Sequence, residues 1–114
     1  MTTWAIARPF TLGGTLLSPT AAINVIVWRA RFSCTVTHVR GYRVGGSAAT
    51  INARRNGVDN HLATNLSLTS ADTWLDGGAV QNTAYAEGDR MEIMLVTLAG
   101  GPDQIDIQVD FSRP

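Results

Sequence analysis

The segment 105–111 constrains the fold more than any other part of this chain, because its apolar and polar residues alternate without a break. Successive side chains of a β-strand point to opposite faces, so its four apolar residues share one face and its three polar residues share the other. A helix would scatter the same apolar residues around its circumference. The segment therefore predicts a half-buried strand, whose apolar face the rest of the chain must cover.

Similar patterns recur along the chain, separated by turn residues about every ten positions. Strands are predicted over 23–32, 34–44, 49–55, 62–68, 90–98 and 105–111. No helical pattern is longer than one turn. A chain of 114 residues is long enough for one domain with a core. We expect an all-β protein, an antiparallel, jelly-roll-like β-sandwich of about eight strands, with residues 21–114 as its single domain.

Residues 1–20 are predicted to form an extended N-terminal arm or edge strand, followed by a loop. Pro9 has no amide hydrogen to donate, which excludes a central strand. Trp4, Ile6 and Phe10 are candidate anchors. The loop is predicted over 12–19, where two adjacent glycines favour a bend.

Three local features of the sequence make sharper predictions. Val36 and Val39 are an odd number of residues apart, which indicates a β-bulge near Thr37 and His38. Asn56-Gly57 predicts a type I′ hairpin turn, because both of its central residues need positive φ. Segment 23–32 is apolar on both faces, so we expect either a central strand or a strand with one face on the core and the other on a neighbouring subunit.

The formal charge is zero overall but uneven along the chain. All nine cationic residues are arginine; residues 1–58 hold seven of them and no acid, whereas residues 59–114 hold two arginines and all nine acids. The two parts thus carry +7 and −7, which supplies complementary strips for pairing within the chain or between copies. Arginine usage in a GC-rich genome is the alternative explanation. Zero net charge weighs against nucleic acid as a partner.

The residues show no catalytic or metal-binding constellation. Cys34, the single cysteine, lies in a strand-like run and is expected in the core. His38 is four residues away, roughly 13 Å along a strand, which is too far for a catalytic pair. Metalloprotease, phosphate-loop and nucleophile-elbow patterns are missing. We expect no enzyme, no cofactor, no metal and, without a signal-like or membrane-spanning segment, no membrane partner.

Several motifs together resemble one family of proteins. They are Tyr42-Arg43-Val44, a Gly-Gly-Ser turn, Arg55-Asn56-Gly57, Ala86-Glu87-Gly88-Asp89 before an alternating strand, and an alternating final strand. Over about residues 25–112 the chain resembles the small β-sandwich (jelly-roll) domains of tailed-phage virions. Those domains serve as capsid decoration (cement) proteins, or as head- and tail-fibre domains.

The resemblance implies a homotrimer that binds the major capsid protein on the outer surface of the shell and stabilises it. Such a protein would be assembled in the host cytoplasm and located on the virion. The predicted contacts are Trp4, Arg8 and Phe10 in the arm, and Arg54 and Arg55 as exposed arginines. A fibre or collar attachment domain is the first alternative. A carbohydrate-binding module using Trp74 or Trp4 is the second.

Overall fold

A computed structural model describes residues 8–114 as two packed antiparallel β-sheets without helices. The strands are β1 (Arg8–Leu17), β2 (Ile23–Arg29), β3 (Cys34–Val44), β4 (Ala48–Arg55), β5 (Asp59–Asn60), β6 (Leu66–Ser67), β7 (Leu75–Asp76), β8 (Ala84–Tyr85), β9 (Arg90–Ala99) and β10 (Gln104–Arg113). The predicted β-sandwich is confirmed. There are ten strands in this part of the chain, because segment 59–85 forms four two-residue strands.

The order of the strands is that of a jelly roll. The first sheet has the order β1-β10-β3-β7, with β8 also paired to β3, and the second has the order β2-β9-β4-β5, with β6 also paired to β4. Early and late strands therefore pair in nested fashion, β1 with β10 and β2 with β9, and the chain passes repeatedly from one sheet to the other. This nesting follows two Greek keys and leaves β1 and β2 as edge strands.

The apolar face of β10 forms the centre of the core, as the alternation of segment 105–111 predicts. Its residues Ile105, Ile107, Val109 and Phe111 are at most 1% exposed. They pack among the inward residues of β3, β4 and β9. Because β10 lies between β1 and β3, it pairs on both edges and organises the whole first sheet.

Both predicted backbone irregularities are present. Asp110 pairs with His38 but the next residue, Phe111, pairs with Val36, so Thr37 is the extra residue of a β-bulge. Asn56 and Gly57 have φ of 55° and 75°, and the amide of Val58 donates to the carbonyl of Arg55 at 3.2 Å. These φ values and this hydrogen bond are those of the predicted type I′ turn.

The predicted loop over 12–19 is wrong for most of its length. β1 continues to Leu17 and pairs residue for residue with β10, from Arg8 opposite Arg113 to Leu17 opposite Gln104. Its glycines do not bend the chain: Gly13 lies so close to β10 that a Cβ there would collide with the carbonyl oxygen of Ile107. From Arg8 onward the N-terminal segment is thus an edge strand, and the rest of the predicted arm lies outside the described residues.

Candidate interaction surfaces

One side of the sandwich, here called the open side, is formed by the edge strands β1 and β2. They belong to different sheets and contact each other there. Within residues 8–114, no strand pairs with the outer edge of β2. From Ile23 to Trp28, β2 carries no charge and no proline. Bare apolar edges of this kind template pairing with another chain, and proteins normally protect them.

The open side exposes large apolar side chains. Ile26 is 60% exposed, Ile23 is 46% exposed, and Leu17, at the end of β1, is 74% exposed. A pocket of about 360 Å³ lies beside them, lined by residues 15–23. β2 is not a central strand, which excludes the first of the two possibilities raised by its sequence. The second, with one face on the core and the other on a neighbouring subunit, stays a prediction.

A second surface, here called the polar face, is the outward side of the first sheet. Strand pairing arranges its side chains in rows that cross the sheet from β7 to β1. One row is Trp74, Tyr42, Asp106 and Thr15; the next is Asp76, Arg40, Gln108 and Gly13; the third is His38, Asp110 and Thr11. Because glycine has no side chain, the middle row ends in a shallow pocket of about 180 Å³.

Charges on the polar face are largely paired with one another. Arg40 Nε lies 3.0 Å from Asp110 Oδ2, and Arg40 Nη1 lies 3.3 Å from Asp76 Oδ2. The hydroxyl of Thr11 donates to Asp110 Oδ1 at 2.7 Å. Partial burial alone would raise the pKa of Asp110, but the hydrogen bonds from Thr11 and Arg40 and the charge of Arg40 outweigh it and hold that pKa below its ordinary value.

The polar face also carries an aromatic pair. Trp74 is 44% exposed, and its ring centroid lies 5.1 Å from that of Tyr42, with 55° between the ring planes. The pair occupies the β7 edge of the face, opposite the glycine pocket.

The predicted contact residues do not form one surface. Arg8 is exposed at the start of β1, and Trp74 lies near the opposite edge of the same sheet. Arg54 and Arg55 lie in the second sheet, and Trp4 lies outside the part of the chain that the structure describes. The roles of these residues as contacts remain predictions.

The predicted exposure of Arg54 and Arg55 needs correction. Arg54 and Arg55 are not freely exposed: Arg54 Nη2 lies 2.8 Å from a carboxylate oxygen of Glu92, and Arg55 Nη2 lies 2.8 Å from one of Asp59. Their side chains are 24% and 22% exposed. The charge strips predicted from the sequence thus pair within the chain here, across neighbouring strands.

Phe10, predicted as a contact residue, is partly buried and packs against the core. Its ring is stacked on Phe111 at 5.1 Å and meets Trp28 and Phe32 edge-on at 5.8 and 5.6 Å. The guanidinium of Arg113 lies 3.9 Å from the centroid of Phe32 and covers the cluster from outside. This aromatic cluster holds the start of β1 against β2.

The sequence did not predict four polar side chains that are buried: Arg43, Asn52, His61 and Glu92. Arg43 is 4% exposed and donates to the carbonyls of Leu68, Gly45 and Gly46 at 3.0, 2.7 and 2.8 Å. Its inward position could have been read from the alternation with Val39, which also points inward. The arginine fastens the end of β3 to the following turn and to segment 66–68.

The side chain of His61 is also fully buried. Its Nε2 lies 2.7 Å from the hydroxyl of Tyr85, and its Nδ1 lies 3.3 Å from the carbonyl of Gln81. Since a carbonyl only accepts, Nδ1 carries the proton and Nε2 accepts from the tyrosine. Burial lowers the pKa of His61 and raises the pKa of Tyr85, so both side chains are neutral.

Cys34 is buried, as predicted, and burial raises the pKa of its thiol. Over residues 8–114, no three His, Cys, Asp or Glu side chains come together to hold a metal ion. The same residues include no helix that could cross a membrane. Comparison of the chain with family models, curated proteins and solved structures found no match.

Proposed function

We propose that this protein is a structural binding protein that assembles into a homotrimer and decorates the outer surface of a tailed-phage capsid. The open side supports the self-association, because the outer edge of β2 is unpaired within residues 8–114 and the exposed side chains of Leu17 and Ile23 line a pocket beside it. The capsid as the site of action is supported by the sequence resemblance to virion jelly-roll domains.

The shape of the open side suits a ring of copies. The protruding side chain of Ile26 and the pocket lined by residues 15–23 are different patches on one molecule. When a patch on one copy meets a different patch on the next, the contact is heterologous, and such contacts close into rings when the rotation allows. Three copies then cover three β2 edges and bury the exposed isoleucines.

A trimer on a shell gains strength from repetition. Each copy needs only a weak contact with the major capsid protein, because simultaneous engagement of linked sites raises the overall affinity by orders of magnitude. Arg8 is exposed at one end of β1 and is available for such a contact. A fibre or collar domain would use the same self-association at another place in the virion.

The first test is the mass of the full chain by light scattering after size exclusion, over a hundredfold range of concentration. We expect three times the chain mass. A variant lacking residues 1–7 is measured beside it: a trimer that persists shows that the edge strands carry the contact, whereas a trimer that is lost assigns it to the N-terminal segment.

The second test concerns the partner. Emptied tailed-phage capsids are sedimented with the protein, and we expect it to co-sediment and to raise the temperature at which the shells rupture. Density in a virion reconstruction separates a capsid site from a fibre or collar site. A monomer that leaves the capsids unbound contradicts the proposal.

A further inference from the structure

The polar face has the composition of a ligand-binding surface rather than of an ordinary solvated sheet. At its β7 edge Trp74 keeps 44% of its surface exposed while its ring leans on Tyr42. A tryptophan in this position presents a flat apolar surface and an N–H donor at the same place. β7 is the last strand of the first sheet at this edge, so the exposed part of the ring faces outward from the end of the sheet.

Hydrogen-bonding groups continue from the aromatic pair across the sheet. Asp106 pairs with Tyr42 on one side and Thr15 on the other, and its carboxylate accepts from Thr15 and Gln104 at 2.5 and 2.9 Å. A carboxylate has about four acceptor sites, so further hydroxyl groups can bind it. Gln108, beside the glycine pocket, makes no side-chain hydrogen bond within the described chain, so its amide is free to donate and accept.

The size of this row fits an extended ligand. Four adjacent strands, about 4.8 Å apart, span about 14 Å from Trp74 to Thr15. This is the length of a short oligosaccharide. The aromatic surface lies at one end and the pocket over Gly13 at the other, with the acceptor and donor groups between them.

The charges on the face indicate a neutral ligand. Among the described residues of the face, Arg40 is the only arginine, and it is already paired with Asp76 and Asp110. Asp106 and Asp110 would repel a phosphate or an acidic sugar. Hydroxyl groups, in contrast, can donate to carboxylates without a charge of their own.

From this geometry we propose that the polar face binds a neutral oligosaccharide, with one sugar ring stacked on Trp74 and with hydroxyl groups bonded to Asp106 and Gln108. The proposal does not depend on the capsid or on the trimer, because Trp74, Asp106 and Gln108 lie neither on β2 nor in the pocket lined by residues 15–23. It gives the protein a ligand-binding activity in addition to assembly.

The test begins with an array of neutral and acidic oligosaccharides, followed by titration calorimetry with the best neutral glycan. We expect the full-length protein to bind neutral glycans. Trp74→Ala and Gln108→Ala should each weaken binding at least tenfold, and Trp74→Phe should restore part of it because an aromatic ring remains. Val58→Ala, an exposed apolar residue on the β4–β5 hairpin, is the matched control and should bind as the unmodified protein does.

Circular dichroism and the melting temperature are measured for both alanine variants, and we expect both to be folded at the temperature of the binding assay, so that loss of binding is not loss of fold. The inference is overturned if no neutral glycan binds, if only acidic glycans bind, or if Trp74→Ala binds as tightly as the unmodified protein. The mass of the protein in solution is measured separately, so failure here leaves the assembly proposal standing, and the reverse is also true.

Discussion

Replacing Ile26 by lysine is the sharpest single-residue test of self-association through the open side. Ile26 lies in the middle of edge strand β2, is 60% exposed, and faces away from the core. The substitution leaves the core and the pairing of β2 with β9 in place. It also puts a charge on a bare strand edge, which is how natural sheets prevent edge-to-edge contact.

The size of the effect follows from the exposed area. Full burial of an isoleucine side chain contributes about 1.5–3 kcal/mol, so burial of the exposed 60% contributes about 1–2 kcal/mol at each contact. A ring of three has three such contacts, which gives about 3–6 kcal/mol. Since about 1.4 kcal/mol is a factor of ten, the trimerisation constant should fall by about 10² to 10⁴, and desolvation of the lysine adds to this.

Analytical ultracentrifugation over a range of concentrations measures that constant directly. Val58→Lys is the control, because Val58 is 77% exposed, more than Ile26, but lies at the tip of the β4–β5 hairpin. We expect Val58→Lys to stay trimeric at concentrations where Ile26→Lys is monomeric. Equal constants for the two variants would refute the assignment of the contact to β2.

Two further predictions concern the buried polar groups. Arg43→Met should lower the free energy of unfolding by about 2–4 kcal/mol in urea titrations, because three carbonyls lose a charged donor. Arg29→Met, the same change at an exposed position, should alter it by less than about 0.5 kcal/mol. For His61, the unfolded chain takes up a proton at a higher pH than the folded chain, whose pKa is lowered by burial. The free energy of unfolding should therefore be constant well above pH 6.5, the ordinary pKa of histidine, and decrease as the pH falls below it.

A different experimental result would contradict each of these two predictions. Equal losses for Arg43→Met and Arg29→Met would show that the carbonyl contacts contribute little. For the pH dependence, His61→Gln should lose most of the slope between pH 7.5 and 5. A slope that persists in His61→Gln would assign the acid sensitivity to other groups.

Features that depend on neighbours along the chain were predictable from the amino-acid sequence. The alternation of segment 105–111 gave the strand and its buried face, because side-chain direction in a strand has a period of two. The odd spacing of Val36 and Val39 located the bulge for the same reason. Asn56-Gly57 located the hairpin, because positive φ at two successive residues is a local requirement.

Tertiary structure alone decided which strands are neighbours, and with them every surface described above. The edge position of β2, the close approach of Gly13 to β10 and the row from Trp74 to Thr15 all join segments far apart in the sequence. The pairing of Arg54 with Glu92 is of the same kind. The physical reason is that pairing register is set by the fit of whole apolar faces in the core. Local periodicity predicts the face of the strand on which a side chain lies, whereas only the packing of the sheets determines which residues that side chain contacts.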